Sequence, residues 1–126
     1  MEFNRVIDTM LKGYMEAWNQ KNTDSIRSFL DEEVVLESAF IKNMYPLHSG
    51  FIYGRNEVIE AWNKIFELLP QIRFEIDHTT HNHKDIVLDC SLCFPDGRTT
   101  SGTIYITVNE YGKVIHIKND SFTTLE

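Results

Sequence analysis

The chain has little cysteine, since Cys90 and Cys93 are the only two among its 126 residues. This count excludes a fold held together by a disulfide framework. The two residues stand at an odd spacing in a strand-like run, so their side chains should point to opposite faces of a sheet. We therefore expect neither a disulfide nor a shared metal ion between them. Free thiols favour a reducing compartment and predict a cytoplasmic location.

Long apolar runs are also absent. No segment approaches the roughly 20 apolar residues that cross a bilayer. The N-terminus is amphipathic from its first residues and lacks the apolar core of a signal peptide. No internal repeat, linker or low-complexity tract interrupts the chain. The sequence therefore predicts one domain over residues 1–126, with no membrane partner.

Basic residues are outnumbered: 12 Lys and Arg stand against 19 Asp and Glu, for a net charge of −7. The basic residues are scattered, so no basic face is available to hold the phosphates of a nucleic acid. Nucleotide-binding loops and nucleophile elbows are missing as well. We expect no nucleic acid partner. The apolar share of 42% is nevertheless ample for a core in a chain of this length.

The first third of the chain shows the periodicity of helices. Residues 3–21 carry apolar side chains at i, i+3, i+4 and i+7 spacing, which predicts an amphipathic helix. Thr23 or Asp24 is expected to cap a short second helix. A brief strand over residues 34–36 follows.

The next segment, residues 39–53, predicts a long loop because it contains Pro46, Gly50 and several aromatic residues. A third helix is expected to open at Gly54-Arg55 and to stop at Pro70. Its apolar face includes Trp62 and Phe66.

From Ile72 onward the apolar period changes to two, which is the period of strands. Strands are predicted around residues 72–77, 86–94, 104–108 and 114–117, with turns between them. Helices followed by an antiparallel meander indicate an α+β fold. Counting back from the turn at Pro95–Gly97, we expect Val87, Asp89, Ser91 and Cys93 to face the interior. The alternate residues Leu88, Cys90, Leu92 and Phe94 would then form an outer apolar patch, which predicts a homodimer through the sheet.

Asp89 is the carboxylate most suggestive of chemistry. In an apolar interior its pKa would rise, as a general acid or base near neutral pH requires. Two alternatives stay open: an ion pair with Arg73 on the neighbouring strand, or exposure near an open rim. At the end of the last strand, Asn119 is expected to face inward and Asp120 outward, unless a bulge turns Asp120 inward.

Three histidines, His78, His81 and His83, surround a predicted hairpin. They invite a zinc interpretation. However, hairpin tips are exposed and no matching ligand spacing recurs elsewhere in the chain. We expect no metal site and no cofactor.

Three stretches resemble the nuclear transport factor 2-like superfamily, and in particular its SnoaL-like domains. The first is Tyr14-Met15-Glu16-Ala17-Trp18-Asn19 with the short helix and strand after it. The second is Gly54-Arg55, and the third comprises Gly97-Arg98, Gly102-Thr103 and Gly112-Lys113-Val114-Ile115. The resemblance implies a cone-shaped fold of three helices packed on a strongly curved, mostly antiparallel mixed sheet, with an apolar pocket between them.

The resemblance also bears on mechanism. Tyr14 occupies a position similar to that of the oxyanion-holding tyrosine of ketosteroid isomerases. The general-base aspartate of those enzymes would fall at Ser38, and their second oxyanion donor near Ile104. A serine cannot abstract a carbon-bound proton unaided, so steroid isomerisation by that mechanism is not expected.

Two functions remain as hypotheses. The first is a cofactor-free acid–base enzyme of isomerase, cyclase or hydrolase type, with Asp89, Tyr14 and Asn119 as catalytic residues. The second is a non-catalytic binder or dimeric assembly module. The first uses a pocket for a small, largely apolar cyclic or carbonyl compound, and the second uses the same pocket passively or not at all. The residues expected to line this pocket are Trp18, Ser38, Phe40, Trp62, Phe66, Ile104 and Ile117. A cavity-facing carboxylate would favour the first hypothesis, and a cavity filled by its own aromatic residues would favour the second.

Overall fold

The fold was analysed in a computed structural model that describes residues 2–44, 47 and 49–120, without the side chains of 2–4, 40, 43, 44 and 120. The elements along the chain are α1 (Glu2–Asn19), α2 (Thr23–Phe29), β1 (Leu30–Ser38), α3 (Ala39–Met44), β2 (Phe51–Tyr53), α4 (Arg55–Leu68), β3 (Arg73–Asn82), β4 (Asp85–Cys93), β5 (Thr99–Val108) and β6 (Val114–Asp120). The three helices predicted from the sequence correspond to α1, α2 and α4.

The six strands form one sheet in the order β2-β1-β6-β5-β4-β3. Among the described strands, only the β1–β6 pair is parallel, so the sheet is mixed and mostly antiparallel. Register shifts interrupt the pairing between Leu30 and Val35, between Ile76 and His78, and between Thr107 and Val108. Such irregularities bend and twist a strand. The sheet is curved and open, and the predicted α+β class is confirmed.

Helix α1 packs its apolar stripe against the sheet, and Tyr14 and Trp18 are buried within that stripe. The end of α1 is fixed by Asn19. Its side-chain amide donates to the carbonyl of Phe74 at 3.0 Å and accepts from the N–H of Phe74 at 2.7 Å. Because β3 is an edge strand, these two bonds satisfy outward-facing backbone groups that no further strand pairs.

The cap of α2 differs from the prediction. Asn22, not Thr23 or Asp24, is the N-cap, and its side-chain oxygen accepts from the N–H of Ser25. Asn is among the best N-cap residues, and here the helix begins one residue earlier than the pattern suggested. Close packing of α1 on α2 depends on Gly13, since a Cβ there would lie 2.8 Å from the ring of Phe29.

The predicted loop over residues 39–53 is wrong in two places. Residues 39–44 form the short helix α3, and residues 51–53 form β2, which pairs with β1. The hydroxyl of Ser38 accepts from the N–H of Ile41 at 3.1 Å and so satisfies a donor in the first turn of α3. Gly50 has a positive φ of 87° and its carbonyl accepts from the N–H of Ser38, which brings the chain back alongside β1.

The predicted orientation of β4 is also wrong. Ile86, Leu88, Cys90 and Leu92 are buried under the helices, and Asp89 is exposed on the outer face. Burying four apolar side chains gains far more than burying a carboxylate and small polar groups, so the hydrophobic effect decides the facing. The outer apolar patch predicted at Leu88, Cys90 and Leu92 therefore does not exist.

No described helix is long and apolar enough to cross a membrane. Both cysteines are free thiols, and their predicted separation onto opposite faces is confirmed, because Cys90 is buried while Cys93 is half-buried on the other side of β4.

Candidate functional site

A small cavity lies between the helices and the concave face of the sheet. It has a volume of about 30 Å³. Helices α1 and α4 contribute Tyr14, Met15, Trp18, Trp62 and Ile65 to its wall. The remaining wall comes from the strands and the segment before β3: Ser38, Ile72, Phe74, Leu88, Leu92, Ile104, Ile106, Ile117 and Asn119.

Aromatic side chains pack against one another at the cavity. The ring of Trp18 meets Phe66 and Phe74 edge-on, with centroids 5.0 and 4.9 Å away. Tyr14 meets Trp62 in the same manner at 6.1 Å. Such edge-to-face pairs are favourable beyond the area they bury. What remains between them is room for about two water molecules.

Three polar side chains face this apolar space: Tyr14, Ser38 and Asn119. Ser38 and Asn119 are neighbours in the register of the parallel β1–β6 pair, and both therefore point to the same side of the sheet. Ser38 is only 4% exposed. The Oδ1 atom of Asn119 is buried and has no hydrogen-bond partner among the described residues. The predicted inward direction of Asn119 is confirmed.

The Tyr14 side chain is 5% exposed. Burial raises the pKa of its phenol far above the usual value, so the group keeps its proton at any physiological pH. Within the described part of the chain, its hydroxyl has ring neighbours but no hydrogen-bond partner. A protonated, unpaired donor thus lies in the same cavity as an unpaired acceptor of Asn119.

Asp89 does not reach this cavity. It lies opposite His78 on β3 and opposite Thr103 on β5, whose hydroxyl donates to it at 3.3 Å. Its catalytic role was predicted on the basis of a buried position, which the structure contradicts. The alternative ion pair with Arg73 is not formed either, because Arg73 lies opposite Cys93. Asp89 is exposed, which agrees with the second of the two alternatives to a catalytic role.

Most of the predicted ligand-binding residues come together at the cavity, namely Trp18, Ser38, Trp62, Ile104 and Ile117. Phe66 does not line it and instead backs the ring of Trp18. The side chains of Phe40 and Asp120 lie outside the described part of the structure. Sequence reasoning missed Ile65 as a wall residue, although its position one turn after Trp62 on the same apolar face carried the signal.

The three histidines of the hairpin do not converge. His78 shares a hydrogen bond with Thr80 at 3.2 Å, and His81 lies 3.3 Å from the carboxylate of Asp8. Over the described ranges, no group of three or more His, Cys, Asp or Glu side chains could hold a metal ion.

The sequence profile of the SnoaL-like domain family matches residues 11–117, which is most of the chain and includes every described residue of the cavity wall except Asn119. The chain belongs to the SnoaL-like domain family. No curated protein matches it in sequence.

Solved structures support the same fold. A SnoaL-like protein of unknown function from Burkholderia thailandensis has a TM-score of 0.77 at 17% identity, with 95% of this chain and 97% of that one covered. A candidate ketosteroid isomerase from Kribbella flavida has a TM-score of 0.73 at 14% identity, over 95% and 82% of the two chains. A candidate polyketide cyclase from Sinorhizobium meliloti has a TM-score of 0.73 at 13% identity, over 89% and 94%. Identities this low establish the fold alone.

This SnoaL-like domain also has a larger outer groove, of about 760 Å³, between β2 and α4. Its wall comprises Ile41, Leu47, Phe51, Ile52, Tyr53, Glu57, Glu60, Ala61, Lys64 and Ile65. Ile65 is the one side chain that lines both this groove and the cavity. The groove is apolar toward β2 and charged along the exposed edge of α4.

The chemistry of the SnoaL-like cavity follows from its inventory. Tyr14 is a donor, the amide of Asn119 supplies both a donor and an acceptor, and Ser38 uses its oxygen to accept from Ile41. Among the described wall residues there is no carboxylate, imidazole or amine. The described site can hold a polar group by hydrogen bonds, and it offers no base to remove a proton.

Proposed function

We propose that this SnoaL-like protein binds a small, largely apolar molecule that carries one hydrogen-bond acceptor, such as a ketone carbonyl. The acceptor would receive the proton of the Tyr14 hydroxyl, with the amide of Asn119 beside it. The observation that carries the proposal is the Tyr14 phenol in the wall of an otherwise apolar cavity, with no hydrogen bond from its hydroxyl to any other described residue.

A polar group without a partner in apolar surroundings favours a ligand that supplies one, since buried polar groups in native proteins are nearly always satisfied. A carbonyl brought to Tyr14 would accept its hydroxyl proton, and a hydrogen bond of this kind contributes about 0.5–1.5 kcal/mol. The carbon atoms of the ligand next to the carbonyl would contact the apolar walls. The site thus has the composition expected of a ligand pocket, with apolar walls and few convergent polar groups.

Binding is favoured here over acid–base catalysis. A general base must lie within hydrogen-bond reach of the proton that it removes. The described wall offers none, and the pKa of the Tyr14 phenol is displaced upward, away from a basic role. The cavity is also small, at about 30 Å³, and has four aromatic rings in its wall, which favours the non-catalytic hypothesis of the two proposed from the sequence.

A homodimer through the sheet stays a prediction. The outer face of β4 and its neighbours is polar, with Ser91 donating to Asp77 at 2.9 Å and Thr107 donating to Asp85 at 3.2 Å. A dimer formed through this face would therefore bury hydrogen-bonded polar groups in place of the apolar patch first expected there.

The proposal is tested with a pair of ligands of equal shape, 2-butanone and 2-methyl-1-butene, against the parent protein and Tyr14→Phe. The chain has two tryptophans, Trp18 and Trp62, and both line the cavity, so their fluorescence reports a ligand that enters it. We expect Tyr14→Phe to weaken 2-butanone binding about fivefold to tenfold, the worth of one neutral hydrogen bond. The alkene should bind both proteins equally.

A matched control is Tyr111→Phe, since Tyr111 is exposed and does not line the cavity. It should leave both affinities unchanged. Equal affinity of 2-butanone for the parent and Tyr14→Phe would contradict the proposal, as would the absence of any fluorescence response to either ligand.

A further inference from the structure

The cavity and the outer groove are separated by very little protein. Ile65 of α4 contributes to both walls and is 5% exposed. Ile41 of α3 lines the groove, and its N–H donates to the hydroxyl of Ser38, which lines the cavity. At this point the two spaces are divided by one isoleucine side chain and one turn of α3.

The two spaces are complementary in what they offer a ligand. The cavity has the unpaired hydrogen-bonding groups and a volume of only about 30 Å³. The groove has a volume of about 760 Å³ and apolar side chains from β2 and α3. A molecule whose carbonyl reaches Tyr14 cannot fit the rest of its atoms in the cavity, and the groove is the adjacent space that can take them.

We propose that Ile65 is the partition between the two spaces, and that the ligand spans both, with its acceptor at Tyr14 and an elongated apolar tail past Ile65 in the groove. This inference rests on the proposed function and makes the ligand class narrower: a slender molecule with a terminal carbonyl, not a compact ring.

The charge of the groove places a further restriction on the class of ligand. Glu57 and Glu60 lie one turn apart along the exposed edge of α4, with Lys64 one turn further. Two carboxylates against one ammonium group make this rim unfavourable for an anionic tail end. The end of the ligand that remains in the groove therefore carries no negative charge.

For the tail to pass, the side chain of Ile65 must move aside, and this movement costs free energy. A β-branched side chain in a helix has essentially one favourable χ1 rotamer, so moving it aside is opposed by about the energy of an off-rotamer side chain. Shortening Ile65 removes this cost and joins the two spaces. A matched control exists on the same helix: Ile59 is 3% exposed and lines neither space.

The experiment uses methyl ketones from 2-butanone to 2-nonanone, which share one carbonyl end and differ only in tail length. Binding is followed by the fluorescence of Trp18 and Trp62. In the parent protein, affinity should rise about threefold to fourfold for each methylene that enters the groove. Ile65→Ala should bind 2-nonanone about tenfold more tightly than the parent, and Ile59→Ala should bind it like the parent.

A second variant blocks the groove instead of opening the partition. Ala61 lines the groove but not the cavity, so Ala61→Phe should remove the dependence on tail length and leave 2-butanone unaffected. If Ile65→Ala does not fold, Ile65→Val is the substitute, with an expected gain of about twofold to threefold for 2-nonanone.

The outcomes separate the two proposals. If ketones bind in a Tyr14-dependent manner but with no dependence on tail length, and Ile65→Ala behaves like Ile59→Ala, the partition is wrong and the proposed function stands. If ketone binding does not depend on Tyr14, or no ketone binds at all, both are overturned.

Discussion

The Tyr14 hydroxyl has no hydrogen-bond partner among the described residues, and this has a consequence for stability. The side chain is 5% exposed in a wall of aromatic and aliphatic side chains, where a polar group loses much of its contact with water. Proteins often retain such costs at binding sites, where removing them stabilises the fold and weakens the function. Tyr14→Phe should therefore be more stable than the parent by about 1 kcal/mol at neutral pH.

The same residue predicts a pH dependence with a definite sign. Burial raises the pKa of the Tyr14 phenol in the folded state above that of an unfolded tyrosine, about 10. The folded state therefore favours the protonated form, and this contribution is complete below pH 10 and is lost as pH rises above it. The stability gap between Tyr14→Phe and the parent should widen above pH 10 by up to about 1.4 kcal/mol per pH unit.

Urea unfolding at pH 7, 9, 10.5 and 11 measures this gap. Tyr111→Phe is the control, because Tyr111 is 83% exposed and its substitution should give the same difference at every pH. A gap for Tyr14→Phe that stays constant from pH 7 to 11 would show that the phenol ionises without unfolding, and that it is not buried as described.

At the scale of elements, the junction between α1 and β3 contributes both to stability and to the wall of the cavity. Asn19 satisfies both backbone groups of Phe74 on the open edge of β3, and Phe74 in turn packs on Trp18 at the cavity. Asn19→Ala removes both hydrogen bonds at a part-buried site, and we expect a loss of about 2–3 kcal/mol in the free energy of unfolding. Urea unfolding of this variant measures the loss.

The comparison variant for this junction is Asn63→Ala, an exposed asparagine on α4. Its effect should stay within about 0.5 kcal/mol of the parent. Similar, small effects of the two substitutions would mean that α1 is held on the sheet by its apolar stripe alone. Because Phe74 lies in the cavity wall, a true loss at Asn19 should also weaken ketone binding.

The elements also show what the sequence can and cannot reveal. Helix α1 and helix α4 were predictable because their apolar stripes are long and regular, and β4 and β5 because they alternate over many residues. The short β2 was missed because a run of Phe51, Ile52 and Tyr53 has too few residues to show a period. The facing of β4 failed because a period of two fixes which residues share a face and leaves open which face is buried.

The candidate site, too, could be predicted from the sequence only in part. Tyr14, Trp18 and Trp62 could be placed in it from the helical stripes alone, and Asn119 from the alternation of β6. The near closure of the cavity could not be predicted, because it depends on how Trp18, Phe66 and Phe74 pack edge to face. The role of Ile65 depends on a groove built from β2 and α3, neither of which the sequence revealed.

At the scale of the whole molecule, Cys90 is a reporter of cooperative unfolding. Its thiol is 1% exposed beneath the helices and approaches the carbonyl of Gly102 at 3.7 Å. Its pKa is raised to about 12, mainly by burial and to a smaller extent by the nearby charges of Asp77 and Asp89. At pH 8 roughly one thiol in 10⁴ would be the reactive thiolate in the folded state. Cys93 is half-buried on the outer face and is accessible without unfolding.

We expect iodoacetamide at pH 8 to modify Cys93 in the native protein and to modify Cys90 only through global unfolding. In Cys93→Ser, which leaves Cys90 as the single thiol, modification in buffer should be at least about 10³-fold slower than in denaturing urea, as the stability of an ordinary domain requires. The opening free energy from the labelling rate should match that from equilibrium unfolding and fall with urea at the same slope, because the sheet and α1 must separate to expose β4. If Cys90 instead reacts within tenfold of Cys93 in the native protein, or with a rate independent of urea, then β4 opens locally. In that case the core beneath the helices would not unfold as one unit with the rest of the domain. The cavity wall at Leu88 and Leu92 would then open at low free-energy cost without any movement of Ile65.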